Sequence, residues 1–462
     1  MSAPPRRSFH VVVVGGGITG LSAAHALLDV SEPERPQVTV LESEGRLGGK
    51  IRTSPFAGLA AVDEGPDAFL ARVPWATEFA RRLGLGAHLV SPAAAHAAVW
   101  WDGLHRIPEG LVLGLPTDLA KLARTRLISW PGKLRAATEV LRPRTSTEAD
   151  SIGAFVRARF GDEVHERLVD PLVGSIYGAD TDRFSLTAVP QLADLAGAGR
   201  SVLLTGRAKR AASPPVVAGP VFYAPDGGMA QLTETAASAV RDLGGRIVVD
   251  SACTRIEPDG RRWRVDGVLA DAVILACPAL DAARLVPSPD ASTLLRTVDA
   301  ADVVMVTVAI PRSAWPQHLV GMSGYLVPKP MQRLVTAVSF GSQKWDHWSN
   351  PDSIILRISL GRDGLPTEHL DDDALVTAAI EDTGRHLRTA LAPTATRITR
   401  WPRAFPQYRP HHHRLVGEIT RSLPAGVALA GASYHGIGIP TCIRSAQAAA
   451  AMTVEHLGRS LD

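Results

Sequence analysis

The chain has 462 residues, 45% of them hydrophobic, with three cysteines and a net charge of +3. This length exceeds one ordinary core and implies two or three lobes, while the aliphatic content excludes a disordered chain and the small net charge excludes a nucleic-acid binder working by charge alone. Cys253, Cys277 and Cys442 are scattered with no Cys-x-x-Cys, which excludes a disulfide framework and a zinc site and suits a reducing cytoplasm.

Arg6-Arg7 precedes an apolar run of only four residues, too short for a leader and so a fold element. That run, Val11 to Val14, is the β-branched sequence of a strand buried on both faces. Gly15-Gly16-Gly17-Ile18-Thr19-Gly20 follows and fits G-x-G-x-x-G; Leu21, Ala24, Leu27 and Leu28 then recur at helical spacing. A second strand, Val38 to Leu41, ends on Glu42. Strand, glycine turn, helix and acidic residue in this order define a dinucleotide site. Gly15 permits the turn, Gly17 the approach of the pyrophosphate to a helix N-terminus, and Gly20 close helix–strand packing. Glu42 can accept hydrogen bonds from ribose hydroxyls and would repel a 2′-phosphate.

Two later segments read as parts of the same domain: a turn and strand from Gly244 through Ile256, and an apolar strand over 270–276 ended by Pro278. The last sixty residues add a strand from Val427 to Ala430, a loop, and a helix from about Cys442. The expected fold is α/β (α+β overall), with a discontinuous, Rossmann-like dinucleotide domain at 1–70, 215–280 and 400–462. A mixed-sheet substrate domain is expected at 71–88 and 281–399, with strands such as Val303–Ile310 and Ile354–Leu360. A helical domain at 89–214 is inserted between them. Its middle carries Lys121, Arg124, Arg126, Lys133, Arg135, Arg142 and Arg144 against only Asp118 and Glu139, which makes it either a solvated face or a surface for anionic lipid or an acidic partner. The uncharged stretch from Ala425 to Ile443 is glycine-rich and holds Pro440, so no segment is expected to span a bilayer.

The dinucleotide pattern continues into Arg46-Leu47-Gly48-Gly49-Lys50, and the stretch from Gly431 to Ile443 sets clustered glycines before a helix, where N–H donors can meet an anion or a flavin edge. Together they resemble the flavoprotein family of amine oxidases, phytoene desaturases and protoporphyrinogen oxidases. Asp63 to Leu70, Asp170 to Tyr177, Trp401, Pro406-Gln407-Tyr408 and His412 narrow the resemblance to porphyrinogen oxidases, especially the soluble bacterial type acting on coproporphyrinogen III. The resemblance spans essentially the whole chain and implies FAD. It places the cofactor on Gly15, Gly16, Gly17, Ile18, Thr19, Gly20, Glu42, Ser43, Arg46, Gly49, Lys50, Gly65, Pro66, Asp67, Trp401, Gly431, Ile437 and Ile439, and on the backbone of Cys253.

The resemblance further implies a six-electron oxidation of coproporphyrinogen III to coproporphyrin III in haem biosynthesis, with O2 as acceptor and H2O2 as by-product. Each of three rounds moves a hydride from a meso carbon to the flavin while a pyrrole N–H loses its proton; no triad or metal is needed. Ser175 faces the macrocycle with its backbone; many relatives read Ser-Gly where this chain has Gly174-Ser175. His435 is either a proton acceptor or a structural histidine, and Arg72 either a propionate contact or a surface arginine. His105 and Arg106, beside Trp100 and Trp101 on a pocket-edge hairpin, are further substrate contacts. Trp401, Tyr408 and Tyr434 form no evident aromatic cage, and His411-His412-His413 cannot easily converge on a metal. The alternatives are protoporphyrinogen IX oxidation, an amine oxidase or carotenoid desaturase, and a porphyrin carrier without turnover. Expected partners are the substrate, O2 and later haem-pathway enzymes. The setting is a cytoplasmic monomer or homodimer with at most peripheral membrane contact.

Overall fold

The computed structural model describes residues 9–30, 35–94, 96–212 and 219–459. Arg6-Arg7 and the expected domain junction at 214/215 lie outside the described residues. The four valines of β1 (His10–Val14) are nearly inaccessible, as a strand covered on both faces requires. The helix α1 (Ile18–Leu28) starts directly after the glycine turn. β2 (Gln37–Leu41) pairs with β1 in parallel, Val12 opposite Thr39. The strand Arg246–Val248 extends this sheet beyond β2, and Ala272–Leu275 and Val427–Leu429 extend it beyond β1. The sheet is wholly parallel and drawn from three separated stretches of chain.

A seven-stranded mixed sheet forms a second layer, in the order 395–407, 299–311, 353–360, 335–340, 322–326, 96–100, 104–106. Its central strands are continuously apolar, and the helix Asp372–Leu387 packs Leu375 and Ala379 against Val306 and Ile358. The helical lobe closes around Phe155, Phe160, Leu168, Phe184 and Leu192. Inside it the buried Glu139 carboxylate pairs with Arg159 and also accepts from Ser201 Oγ (2.6 Å) and the Val202 N–H (2.8 Å).

The domain limits differ from the sequence reading in three places. His96–Trp100 and Leu104–Arg106, expected in the helical insert, form a hairpin on the edge of the seven-stranded sheet, because Met322–Leu326 supplies a partner remote in sequence. Ala395–Gln407, expected to enter the dinucleotide domain at 400, stays paired with Asp299–Pro311 to its end. The helix Pro74–Arg82, expected in the substrate domain, buries Ala76, Phe79 and Ala80 beside Ile18, Leu21 and Ile443 instead, its apolar face covering α1 and the C-terminal helix Ile439–Arg459.

The basic middle of the insert is largely consumed by main-chain carbonyls. Arg135 donates to the carbonyls of Arg157, Ala158 and Arg159 at the C-terminal turn of the helix Ile152–Phe160, where cations offset the dipole. Arg142, Lys133 and Arg144 likewise bond Ala158, Ala123 and Gly197, and Lys121 pairs with Glu109. Arg124 and Arg126 remain exposed. Among the described residues no helix is long and apolar enough to cross a membrane.

Candidate active site

The glycine turn separates glycines needed by the protein from one that is not. A Cβ at Gly15 (φ +109°) would lie 2.8 Å from Ala276 O, one at Gly16 would strike Leu47 and Glu42, and one at Gly20 would overlap the Gly15 carbonyl. Gly17 has ordinary φ (−73°), and a Cβ there would find nothing nearer than Gly49 Cα at 3.9 Å. The space between Gly17, at the N-terminus of α1, and Gly49 (φ +56°) is a cradle that a side chain would fill, which is what a pyrophosphate requires. Thr19 sits 3.5 Å from where a Cβ of Gly431 would be, so the C-terminal glycines close over the same helix end. Ile439 is buried in the first turn of the C-terminal helix, and Ile437 leans on the helical lobe.

Glu42 is buried and already oriented. Its Oε2 accepts the Gly16 N–H (2.6 Å), and its Oε1 accepts the Glu44 N–H (2.9 Å) and Ser43 Oγ (3.1 Å). Oε2 keeps a lone pair for a hydroxyl. Arg46 turns back onto its own loop, donating to Gly49 O (2.8 Å) beside Glu44. Cys253 is half-buried, and its N–H and C=O have no hydrogen-bond partner among the described residues, which leaves a free amide edge of the kind an adenine pairs with.

The loop after Asp63 is clamped from the seven-stranded sheet. Trp401 Nε1 donates to Glu64 O (2.9 Å), and its ring lies 3.3 Å from where a Cβ of Gly65 would stand. Arg357, from the strand Ser353–Leu360, donates to Gly65 O and pairs with Asp67 (3.4 Å). Lys344 Nζ (2.8 Å) and Trp345 Nε1 (3.1 Å) also reach Asp67. Burial would raise the Asp67 carboxyl, but the Lys344 and Arg357 charges hold it well below the usual carboxylate range. Its side chain is thus committed, and Gly65, Pro66 and Asp67 have main chain to offer a cofactor. Asp63 accepts from Thr53 Oγ1 and the Met229 N–H with Oδ1, while Oδ2 is buried without a partner among the described residues. Burial pushes its carboxyl up to about 6.

In the helical lobe, the helix Asp170–Tyr177 follows a π-helical turn, His165–Val169, a distortion common at functional sites. Arg362 grips Asp170 with both nitrogens (2.8 and 3.0 Å), Thr181 Oγ1 donates to the same carboxylate (2.6 Å), and His165 Nε2 meets Thr181 Oγ1 (2.8 Å). A Cβ at Gly174 would lie 2.9 Å from Arg362 Nη2, so Gly174 cannot grow without displacing the guanidinium. The Gly178 and Ala179 N–H groups both bond Gly174 O, which passes over the Ser175 carbonyl at the end of the helix. Ile176 beside it is 49% exposed. Gln407 Nε2 ties the Tyr177 and Gly178 carbonyls (3.2 Å each) to the strand carrying Trp401.

Arg72 is exposed, with no hydrogen bond or ion pair among the described residues. One turn on, Trp75 stacks under Arg444 (4.5 Å), whose charge also acts on His435. His435 stands at the surface; partial burial, then Arg444, hold its ring below the usual histidine value. His105 and Arg106 occupy the edge strand of the hairpin, His105 Nε2 3.0 Å from Trp101 O. The three aromatics lie apart: Trp401 on the Glu64 loop, Tyr408 in the helical core stacked on His412 (4.3 Å), and Tyr434 in a third cluster. His412 Nε2 meets Tyr434 O (3.2 Å) and His413 meets Thr187, so the histidine run diverges; among the described residues no group of ligands could hold a metal. Arg357, Arg362 and Arg444 escaped the sequence reading, since nothing marks a buried or ring-stacked arginine before its partners are known.

A parallel sheet with an open glycine cradle at a helix N-terminus, tied to a mixed sheet through Arg357 and Trp401, has the form of a dinucleotide-type oxidoreductase fold. The chain matches the family described as flavin containing amine oxidoreductase over residues 18–452 and belongs to that family. It is 31% identical to the coproporphyrinogen III oxidase of Bacillus subtilis, covering 97% of this chain and 98% of that one. Identity to the coproporphyrinogen III oxidase of Mycobacterium tuberculosis is 33%, covering 96% and 97%. A solved chain from Exiguobacterium sp. 255-15 assigned as a protoporphyrinogen oxidase superposes with a TM-score of 0.84 at 29% identity, covering 98% of this chain and 99% of that one. Cyclohexylamine oxidase from Brevibacterium oxydans superposes at 0.67 with 19% identity, over 98% of this chain and all of that one, a likeness of fold alone. The protein is an oxidoreductase with a flavin cofactor.

Gly17→Val should leave the thermal unfolding of flavin-free protein nearly unchanged while abolishing FAD uptake, whereas Gly20→Ala should destabilise the protein itself by about 3 kcal/mol or more; a yellow, fully loaded Gly17→Val protein would refute the cradle. Asp63 binds its proton more tightly folded than unfolded, where its value is about 3.9. It therefore withdraws stability as pH rises from about 4 to about 6. Relative to wild type, Asp63→Asn should gain about 1–3 kcal/mol between pH 4.5 and 7.5 in urea unfolding. Parallel stability profiles for the two proteins would contradict this.

Proposed function

We propose that this protein is an FAD-dependent oxidase converting coproporphyrinogen III to coproporphyrin III with O2 as acceptor. The observation that carries the reading is the Ser175 carbonyl, unpaired among the described residues at the C-terminal end of the helix Asp170–Tyr177, beside exposed Ile176. Near-full-length similarity to coproporphyrinogen III oxidases supports the same substrate. FAD, rather than a shorter flavin, suits a site with a pyrophosphate cradle, a fixed ribose acceptor in Glu42 and a free Cys253 amide edge.

When bound, FAD supplies the two-electron acceptor for each round and passes the electrons to O2. The chain's own groups place and neutralise. A helix C-terminus carries partial negative charge, so the Ser175 carbonyl can accept a pyrrole N–H and favour the positive charge that builds on the macrocycle as hydride departs. Ile176 offers the ring an apolar contact. Arg72 and Arg106 are exposed cations for propionates, and His435, held neutral near pH 7, can accept the pyrrole proton. The dispersal of Trp401, Tyr408 and Tyr434 disfavours an amine substrate, which would want a cage of ring faces.

A peripheral contact with anionic membrane belongs to the same reading. Trp130, Leu134 and Leu141 are 72%, 68% and 77% exposed at helical spacing, with Lys133 over the Trp130 ring (4.7 Å) and Arg124 and Arg126 nearby in sequence. Wild-type protein should co-sediment with phosphatidylglycerol vesicles and a Trp130→Ala/Leu134→Ala variant should not; equal recovery of both would remove this surface from consideration.

The central test follows porphyrin fluorescence and oxygen uptake with both porphyrinogens. Replacing two propionates by vinyls removes two charged contacts of about 1.5 kcal/mol each, so kcat/KM should favour coproporphyrinogen by about a hundredfold. Arg72→Ala should raise KM by about tenfold for coproporphyrinogen but little for its propionate ester. Bleaching of the flavin by an amine, with neither porphyrinogen oxidised, would overturn the proposal.

A further inference from the structure

Lys50 carries a charge that the site as described leaves unanswered. Its carbonyl lies under Gly65, its side chain is half-buried, and Nζ donates to Ala404 O at 2.6 Å. Among the described residues no carboxylate stands within ion-pair distance of it. One N–H of the ammonium is used, and two remain. The Cys442 thiol is close enough to act electrostatically on Nζ, and Cys442 Sγ itself lies 3.8 Å from the Gly436 and Ile437 carbonyls. The ammonium therefore sits where three segments converge: the Gly48–Lys50 loop, the strand bearing Trp401, and the glycine-rich stretch ahead of the C-terminal helix. Burial pushes the Cys442 thiol up to about 11, so it is neutral and cannot be the missing counter-charge. Burial also weakens the hold of Lys50 on its proton, as expected of an ammonium held without a partner.

A buried cation without a fixed anion is costly, unless the anion arrives with the chemistry. Hydride transfer brings the flavin two electrons and one proton and leaves it with one negative charge. Reoxidation gives both electrons to O2, which leaves as H2O2 with the flavin's proton and one from solvent. We propose that Lys50 is the counter-charge for the reduced, anionic flavin, raising the cofactor's two-electron potential and so its ability to take hydride. This rests on the FAD reading but not on the identity of the porphyrinogen.

The test is spectroelectrochemical titration of FAD-loaded wild type, Lys50→Met and Lys50→Arg, with no substrate present. Lys50→Met should retain FAD and favour the reduced form at least about tenfold less, a fall of about 30 mV for a two-electron couple; Lys50→Arg should stay closer to wild type. Should Lys50→Met fail to fold, Lys50→Gln, which keeps an N–H for Ala404 O, carries the same expectation. An unchanged potential in the neutral variant would overturn the proposal. So would loss of FAD from both neutral variants, because the ammonium would then be holding the oxidised cofactor. Failure of wild type to bind FAD would instead strike the reading beneath it.

Discussion

The arrangement of the site depends on two buried guanidinium groups that leave the same strand, Ser353–Leu360, and its end in different directions. Arg357, 5% exposed, reaches the Gly65 carbonyl and Asp67 on the dinucleotide side. Arg362, 4% exposed, takes Asp170 by both oxygens and the Ala179 carbonyl on the helical side. Desolvating such pairs offsets most of their Coulomb gain, yet removing one partner costs about 3–5 kcal/mol because a charge is stranded. Their contribution is registration more than net stability. The central strand of the mixed sheet thereby sets the spacing between the Gly65–Asp67 loop and the end of the helix Asp170–Tyr177.

That registration accounts for the order Gly174-Ser175. The helix comes so close to Arg362 that position 174 has no room for a Cβ, whereas position 175 lies on the half-exposed side near the helix end. The residue bulk excluded at position 174 is accommodated at position 175. The π-helical turn over His165–Val169 adjusts the same helix from its other end, and Thr181 links the buried His165 to the Asp170 carboxylate.

Much of the dinucleotide half was legible because its constraints are local. Val11–Val14, the glycine turn and Glu42 lie within one short stretch, and each obeys a rule about its own backbone or neighbours. The later strands were legible as strands, but their membership was not. Nothing in His96–Trp100 says that its partner is Met322–Leu326, and nothing in Pro74–Arg82 says that its apolar face covers the C-terminal helix. The partners of the basic run from Lys121 to Arg144 were hidden for a related reason: charge is visible in sequence, whereas the carbonyls that absorb part of it, such as those at the end of Ile152–Phe160, are not. The ties of the Asp67 side chain to Lys344, Trp345 and Arg357 are equally invisible, because all three partners lie 277 residues or more further along the chain.

The ionisable side chains of this site are mostly turned inward. Glu42 binds the glycine turn, Arg46 its own loop, Asp67 and Asp170 their arginines, and His412, held by burial at about 4, stacks on Tyr408 as a neutral ring. What is left for ligands is largely main chain: the N-terminus of α1 beside Gly17, the amide edge of Cys253, the Gly65–Asp67 loop and the Ser175 carbonyl. Main-chain groups on rigid elements do not titrate and lose little entropy on binding. Such a surface suits a reaction whose rate depends on holding a hydride donor and its acceptor at a fixed distance, where placement alone can contribute about 7–11 kcal/mol. Acid–base power is needed only for the proton that follows, and Lys50, fixed on Ala404 O, and the neutral ring of His435 are ionisable groups left outside these internal pairs.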